Sequence, residues 1–287
     1  MRDLSAWRGI NFGGALDGGR DWILDHHLDV VVEAGFNLVR LPVRWSPRRP
    51  EFARVDEVVR GALSRGLDVV VTVHHYDELS ADVALHRADF LALWGSLAEH
   101  FAPFSPKLHL ALLNEPHEPM TSSQWNELLA EALAVVRSSN PDRLVLVGPM
   151  LWNTFEALPT LSVPDDENVA VTVHYYSPFQ FTHQGAPWLP AELVTPARSW
   201  GSEDDYATVR ADFARAASWG RPLFLGEFGV LNTVDLPTRA RWLTHVRSLA
   251  EEYGMGWASW DFGTDFGAYD LTADRWRPEL LTALLPQ

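Results

Sequence analysis

The sequence predicts an α/β fold, a single (β/α)8 TIM barrel over residues 1–287. Three observations carry that expectation. Short apolar runs alternate with amphipathic stretches along the whole chain, several of those stretches end in a glycine just before the next run, and no apolar block is left over for a second domain. The length of 287 residues fits, since one barrel takes about 250 residues.

The strands are predicted at 9–12, 37–40, 69–73, 108–113, 144–147, 169–173, 223–225 and 257–260, each a short apolar run of the kind buried on both faces of a parallel sheet. Helices follow from apolar residues at helical spacing. These are Phe90, Trp94, Leu97 and Phe101, then Trp125, Leu128, Leu129, Ala132, Leu133 and Val136, and later Trp242, Val246, Leu249 and Tyr253. Gly35, Gly66, Gly220 and Gly254 stand where left-handed caps would turn the chain back toward the sheet. A doubly wound open sheet also alternates strands and helices, but Gly13-Gly14-Ala15 followed by Gly18-Gly19 lacks the spacing of a nucleotide-binding loop. The longest irregular stretch, about 177–202, follows the sixth strand, and long loops in compact domains are often functional.

With 38 acidic and 23 basic residues the formal charge is −15, so nucleic acid or an anionic membrane is repelled overall and a neutral or cationic ligand fits better. Cysteine is absent, which removes disulfides, thiolate metal sites and cysteine nucleophiles. The segment from Met1 to Trp7 lacks a basic stretch followed by an apolar one, and no long uncharged apolar run occurs elsewhere, so a water-soluble chain is expected. The compartment and the oligomeric state stay open.

In such a barrel the working residues sit where strands run into the following loops. Here those positions hold Asn11, Arg40, His74-His75, Asn114-Glu115, Trp152, His174-Tyr175-Tyr176, Glu227 and Trp260. Any one of them has an ordinary loop reading; all strand ends being polar or aromatic together is harder to dismiss. Glu115 and Glu227, at strands four and seven, can face each other across the mouth. Cleavage of a glycosidic bond with retention needs two carboxyls about 5 Å apart, one ionised to attack and one protonated to release the leaving oxygen. The ionised member helps to keep its partner protonated.

The sequence resembles glycoside hydrolase family 5, the cellulase family, over nearly its whole length. The resemblance rests on Leu113-Asn114-Glu115-Pro116-His117, Val173-His174-Tyr175-Tyr176-Ser177-Pro178, Phe181-Thr182-His183-Gln184-Gly185-Ala186-Pro187-Trp188 and Gly226-Glu227-Phe228-Gly229. It is similar in particular to endo-β-1,4-glucanases of thermophilic bacteria, some of which act on mannan as well. The resemblance implies Glu115 as acid/base and Glu227 as nucleophile. Arg40 and Tyr176 are expected to hold Glu227 in its charged form, Asn114 to bind the sugar 2-hydroxyl, and His174 to orient the acid/base. Substrate contacts are expected from Asn11, Asp17, His74, His75, His183, Trp188 and Trp260, with His74 favoured over His75.

No metal or cofactor is implied, and His74-His75 lacks the His-x-His or His-Glu-x-x-His spacing of common zinc hydrolases. Trp94, Trp125, Trp219 and Trp242 are expected in the core on helices, while Trp45, Trp152 and Trp200 are open between core and cleft. Two departures stand out from the family pattern. The loop from Trp45 to Phe52 is short, which leaves one cleft wall open, and Asp17 stands where several relatives carry Glu. The expected function is a retaining endo-β-1,4-glucanase. The alternatives are a β-mannanase or dual enzyme, and a non-catalytic carbohydrate-binding barrel. The partner is a β-linked polysaccharide or oligosaccharide. A secreted enzyme freed of a leader and a cytoplasmic one acting on imported oligosaccharides are both compatible with the sequence.

Overall fold

The computed structural model describes residues 3–194 and 198–286. Eight parallel strands close into a barrel in sequence order: β1 Arg8–Asn11, β2 Leu38–Val43, β3 Asp68–Val73, β4 Leu108–Ala111, β5 Val145–Val147, β6 Val169–Tyr175, β7 Leu223–Phe228 and β8 Gly256–Ser259. Pairing of β1 with β8 completes the ring. Outside it lie α1 Asp25–Ala34, α2 Ala53–Ser64, α3 Val83–Phe101, α4 Ser122–Arg137, α5 Glu203–Ala217, α6 Leu236–Glu252 and α7 Pro278–Leu284. The alternation breaks once. Between β5 and β6 the outer helix is replaced by a short 3-10 helix, Phe155–Thr160. No helix among the described residues is long and apolar enough to cross a membrane.

All four predicted cap glycines have positive φ, at 102°, 81°, 81° and 70° for Gly35, Gly66, Gly220 and Gly254. Thr121, Ser202 and Asp235 cap the N-termini of α4, α5 and α6 by accepting backbone N–H bonds, which satisfies donors that the helix itself leaves free. Trp94, Trp125 and Trp242 are fully buried on α3, α4 and α6. Each donates its indole N–H to a backbone carbonyl just beyond a strand end: Leu112 at 3.0 Å, Gly148 at 2.8 Å and Ser177 at 3.2 Å. Trp219 corrects the expectation, for it lies past the end of α5 and is only half-buried. Trp45 and Trp200 are core residues, whereas Trp152 is half exposed.

Three strands, β2, β6 and β7, outrun their predicted ends, and β2 and β7 show the physical reason. β2 continues through Pro42, although proline removes a ladder donor. The Arg40 carbonyl faces β1, where Phe12 N–H donates to it, and the Val43 carbonyl faces β3, where His74 N–H donates to it. Pro42, in phase with Arg40, therefore looks toward β1, which has already ended at Asn11, and no ladder bond is lost. β7 continues to Phe228 through a bulge, because Val173 pairs with Leu225 and the next pair is His174 with Glu227. Gly226 is the extra residue.

That bulge decides where Glu227 points. In a regular strand Phe224 and Gly226 share one face and Glu227 takes the other. Phe224 packs with Leu38, Val70, Leu146, Ala170 and Ala258 inside the barrel. The extra residue shifts the phase, so that Glu227 returns to the interior and Phe228 packs outward near Trp242 and Trp257. A side chain does not fit at the bulge itself, since a Cβ on Gly226 would stand 2.5 Å from Thr172 Oγ1.

Candidate active site

Above the apolar layer the mouth of the barrel is polar, and Asn11, Arg40, His74, Asn114, His174 and Glu227 are all buried there. Arg40 is the hub. Its Nη1 donates to Glu227 Oε1 at 2.5 Å and to Asn11 Oδ1 at 2.8 Å, and its Nη2 donates to Asn114 Oδ1 at 2.6 Å. The Tyr176 hydroxyl donates to the other Glu227 oxygen at 3.0 Å. Both oxygens of Glu227 are thus held by donors, one of them a full positive charge. The phenol of Tyr176 stays protonated, because burial and the neighbouring carboxylates push it well above its ordinary range.

Glu115 is held differently. It follows β4 in a left-handed backbone conformation, φ 49°, and is contacted by His174 Nδ1 at 2.7 Å from its Oε1. Burial raises its carboxyl to about 7, against the opposing pull of Arg40. Burial lowers His174 to about 3, so the imidazole is neutral across the neutral range. His174 Nδ1 also lies 3.6 Å from Glu227 Oε2, and one atom from each of Glu115, His174 and Glu227 falls within 4.8 Å of the others. The two carboxyls therefore differ: Glu227 is charge-paired with Arg40, and Glu115 holds its proton well above the usual carboxylate range.

On one side of this pair stand Trp260, His74, His75 and Asp17. The rings of Trp260 and His74 are parallel at 5.8 Å. Gly13 lets the indole lie close, since a Cβ there would be 2.7 Å from the ring. His74 is buried against Trp260, and its neighbour His75 is the solvent-open member of the pair. The reason is local: β3 ends at Val73, and His75 adopts φ 55°, which turns its ring to the same side, edge-on to His74 at 4.1 Å. Asp17 Oδ2 is 3.4 Å from His75 Nε2.

Asn11 is a correction. Its side chain has no exposed surface, and its amide nitrogen donates to the carbonyls of Gly226, Ala258 and Ser259 while its oxygen accepts from Arg40. It is a strut beneath the site, not a surface that a sugar can touch. It ties β1 to the β7 bulge and so to the backbone of Glu227.

On the opposite side Glu115, Trp152, Tyr176, Phe179, His183 and Trp188 border a cleft of about 600 Å³. His183 stacks on Phe179 at 4.2 Å, and Trp188 is half exposed. Trp152 lies parallel to His117 at 5.4 Å. It belongs to a left-handed turn of Leu151, Trp152 and Asn153, with φ of 55°, 58° and 59°. Non-glycine residues enter that region at a cost of order 1 kcal/mol each, and such strain gathers at functional sites. Phe179 and Asn153, whose Nδ2 lies 3.4 Å from His174 Nε2, are site neighbours that sequence reasoning missed, and His117 was given no role although it closes the Leu113-Asn114-Glu115-Pro116-His117 motif. Phe179, one residue after the quoted Ser177-Pro178 motif, was within reach of it.

A closed parallel barrel with paired glutamates at the ends of β4 and β7 has the form of a barrel glycosidase. The family model for cellulase (glycosyl hydrolase family 5) matches residues 6–265, and the chain belongs to that family. Among its relatives, Endoglucanase H of Acetivibrio thermocellus is 30% identical and covers 91% of this chain, which spans only 30% of that longer protein. Cellodextrinase A of Ruminococcus flavefaciens is 25% identical over 86% of this chain and 83% of its own. The structure of Thermotoga maritima Cel5A in complex with cellobiose matches with a TM-score of 0.94 at 41% identity, over 97% of each chain. A complex of the same enzyme with mannotriose matches with a TM-score of 0.94 at 40% identity, over 99% of this chain and 98% of the other.

Proposed function

We propose that the protein is a retaining endo-glycosidase that hydrolyses internal β-1,4 bonds of glucans, with Glu227 as nucleophile and Glu115 as acid/base. The observation that carries this is the asymmetry of the two carboxyls, whose oxygens approach within 4.8 Å: Glu227 is paired with the Arg40 guanidinium, while burial pushes Glu115 up to about 7. Glu227, steadied by Arg40 and Tyr176, attacks the anomeric carbon as Glu115 gives its proton to the departing oxygen. Glu115, then ionised, takes a proton from water, which attacks the same carbon and frees Glu227. Asn114, whose oxygen is committed to Arg40, presents its amide to the 2-hydroxyl. Trp260 stacks on the sugar before the scissile bond, and Asp17, His74 and His75 border that sugar. Trp188 and His183 contact the leaving-group side.

Azide rescue tests the assignment. With Glu115→Ala the product should be a β-glycosyl azide, and with Glu227→Ala an α-glycosyl azide; the opposite pair of products would exchange the two roles.

Mannan is the second substrate reading, favoured by the mannotriose complex of the 40%-identical relative. Reducing-sugar release from carboxymethylcellulose, lichenan and glucomannan ranks the substrates. No release from any of them would rule out the hydrolase reading in favour of a saccharide-binding barrel.

A further inference from the structure

Three groups among the described residues gather potential metal ligands with one atom of each within 4.8 Å of the others: Glu115–His174–Glu227, His26–His27–Asp274 and Asp17–His74–His75. The first is filled by its own chemistry. Arg40 sits 2.5 Å from Glu227, so a divalent cation would press against a buried positive charge. In the second, His27 Nδ1 accepts the Leu24 N–H at 3.0 Å, which places the ring proton on Nε2, the atom that faces Asp274. A metal there would have to displace that proton.

In the third group no backbone N–H fixes the tautomer of His74, whose Nδ1 has no hydrogen-bond partner, and the proton that His75 Nε2 shares with Asp17 is the one a cation would replace. Asp17 Oδ2 lies 3.4 Å from His75 Nε2 and 3.9 Å from His74 Nε2, and its ion-pair partners are these two imidazoles. Two bonds of about 2.1 Å at a tetrahedral angle span about 3.4 Å, so the Asp17–His75 edge already has the size of a zinc site. Asp17 and His74 are both nine-tenths buried or more, yet Asp17 Oδ1 and His74 Nδ1 have no hydrogen-bond partner. His75 is about half exposed and can adjust its distance to His74 by turning its ring, while the Asp17–His74 edge has to close from 3.9 Å by about half an ångström. Asp77 and Glu227 add negative potential at His75, in a chain of formal charge −15. Arg40 also acts on His74, but its guanidinium is committed to Glu227, Asn11 and Asn114.

We propose that Asp17, His74 and His75 form a three-ligand site for a late first-row divalent cation, whose occupancy blocks the cleft beside Trp260 and inhibits the enzyme reversibly. Two imidazoles and a carboxylate suit Zn2+ and Ni2+ better than Mg2+ or Ca2+, and water completes the fourth position. The cation has no part in bond cleavage. It competes for the polar floor that a sugar would otherwise occupy, and this clause of the proposal rests on the saccharide reading of the cleft.

Calorimetric titration of chelator-treated protein with ZnCl2 and no saccharide tests the site by itself, in a His26→Ala background that removes the second group. The expected result is one Zn2+ per chain, bound more weakly by at least about tenfold in Asp17→Asn and in His75→Asn, and by no more than about threefold in Glu227→Gln, which removes a nearby charge but no ligand. Asparagine is chosen at position 75 because it tolerates the left-handed backbone there, and circular dichroism establishes that each variant is folded. Absence of zinc binding, retention of it in both ligand variants, or its loss in Glu227→Gln would overturn the site. In kinetics on lichenan, zinc should raise KM and leave kcat unchanged, with reversal by chelator. Inhibition that lowers kcat alone would overturn the competition. A protein inactive on every glucan would fail the functional reading while calorimetry still decided the cation site.

Discussion

Glu115 and Glu227 carry the same functional group and differ only in what surrounds it. Desolvation lifts Glu115 to about 7, so its proton is retained below that pH and lost above it. Activity that depends on a protonated Glu115 is therefore full on the acid side and falls as pH rises through about 7. A kcat/KM profile whose alkaline limb lay near the ordinary carboxylate value would contradict this. Tyr176→Phe removes one of the donors to Glu227. A hydrogen bond to a charged group is worth roughly 1.5–3 kcal/mol, which corresponds to a loss of roughly 10- to 100-fold in kcat/KM with little change in melting temperature. The glutamates were legible in the sequence because a polar residue after an apolar run marks the barrel mouth. The duty of Asn11 was not, since an amide facing a sugar and one facing three backbone carbonyls leave the same trace. Nor was the difference in burial between His74 and His75, since the left-handed backbone at His75 has no mark in the sequence.

At the scale of the element, the apolar runs and helical periodicities were sufficient to place every strand of the barrel. Their ends were less legible, because termination depends on the neighbour. Pro42 is tolerated only because β1 stops short, a fact about another strand. The bulge in β7 was likewise silent, as Gly226-Glu227 has no alternation by which an extra residue can be seen. Deleting Gly226 should restore regular pairing and rotate Glu227 toward α6, exposing Arg40 inside the barrel without its carboxylate. The expected outcome is loss of hydrolysis with retention of cooperative unfolding and far-ultraviolet dichroism. Substantial activity in the deletion would show that the phase shift is unnecessary.

For the whole molecule the barrel was predicted correctly, but the missing helix after β5 was not, because the segment there still carries apolar residues that pack in 3-10 form. The charge of −15 bears on substrate choice among polymers of similar backbone. Carboxymethylcellulose is anionic and lichenan neutral, so the ratio of the rates on the first to the second should rise with salt between about 0.01 M and 0.15 M, where the screening length shrinks from about 30 Å to about 8 Å. A ratio independent of salt would mean that the field does not reach the cleft. Finally, the indole N–H groups of Trp94, Trp125 and Trp242 fasten the outer ring to the rim. The helices act as a hoop that keeps the tops of three staves in register. On heating, slackening of the hoop should disarm catalysis before the staves part, so inactivation should set in several degrees below the loss of secondary structure.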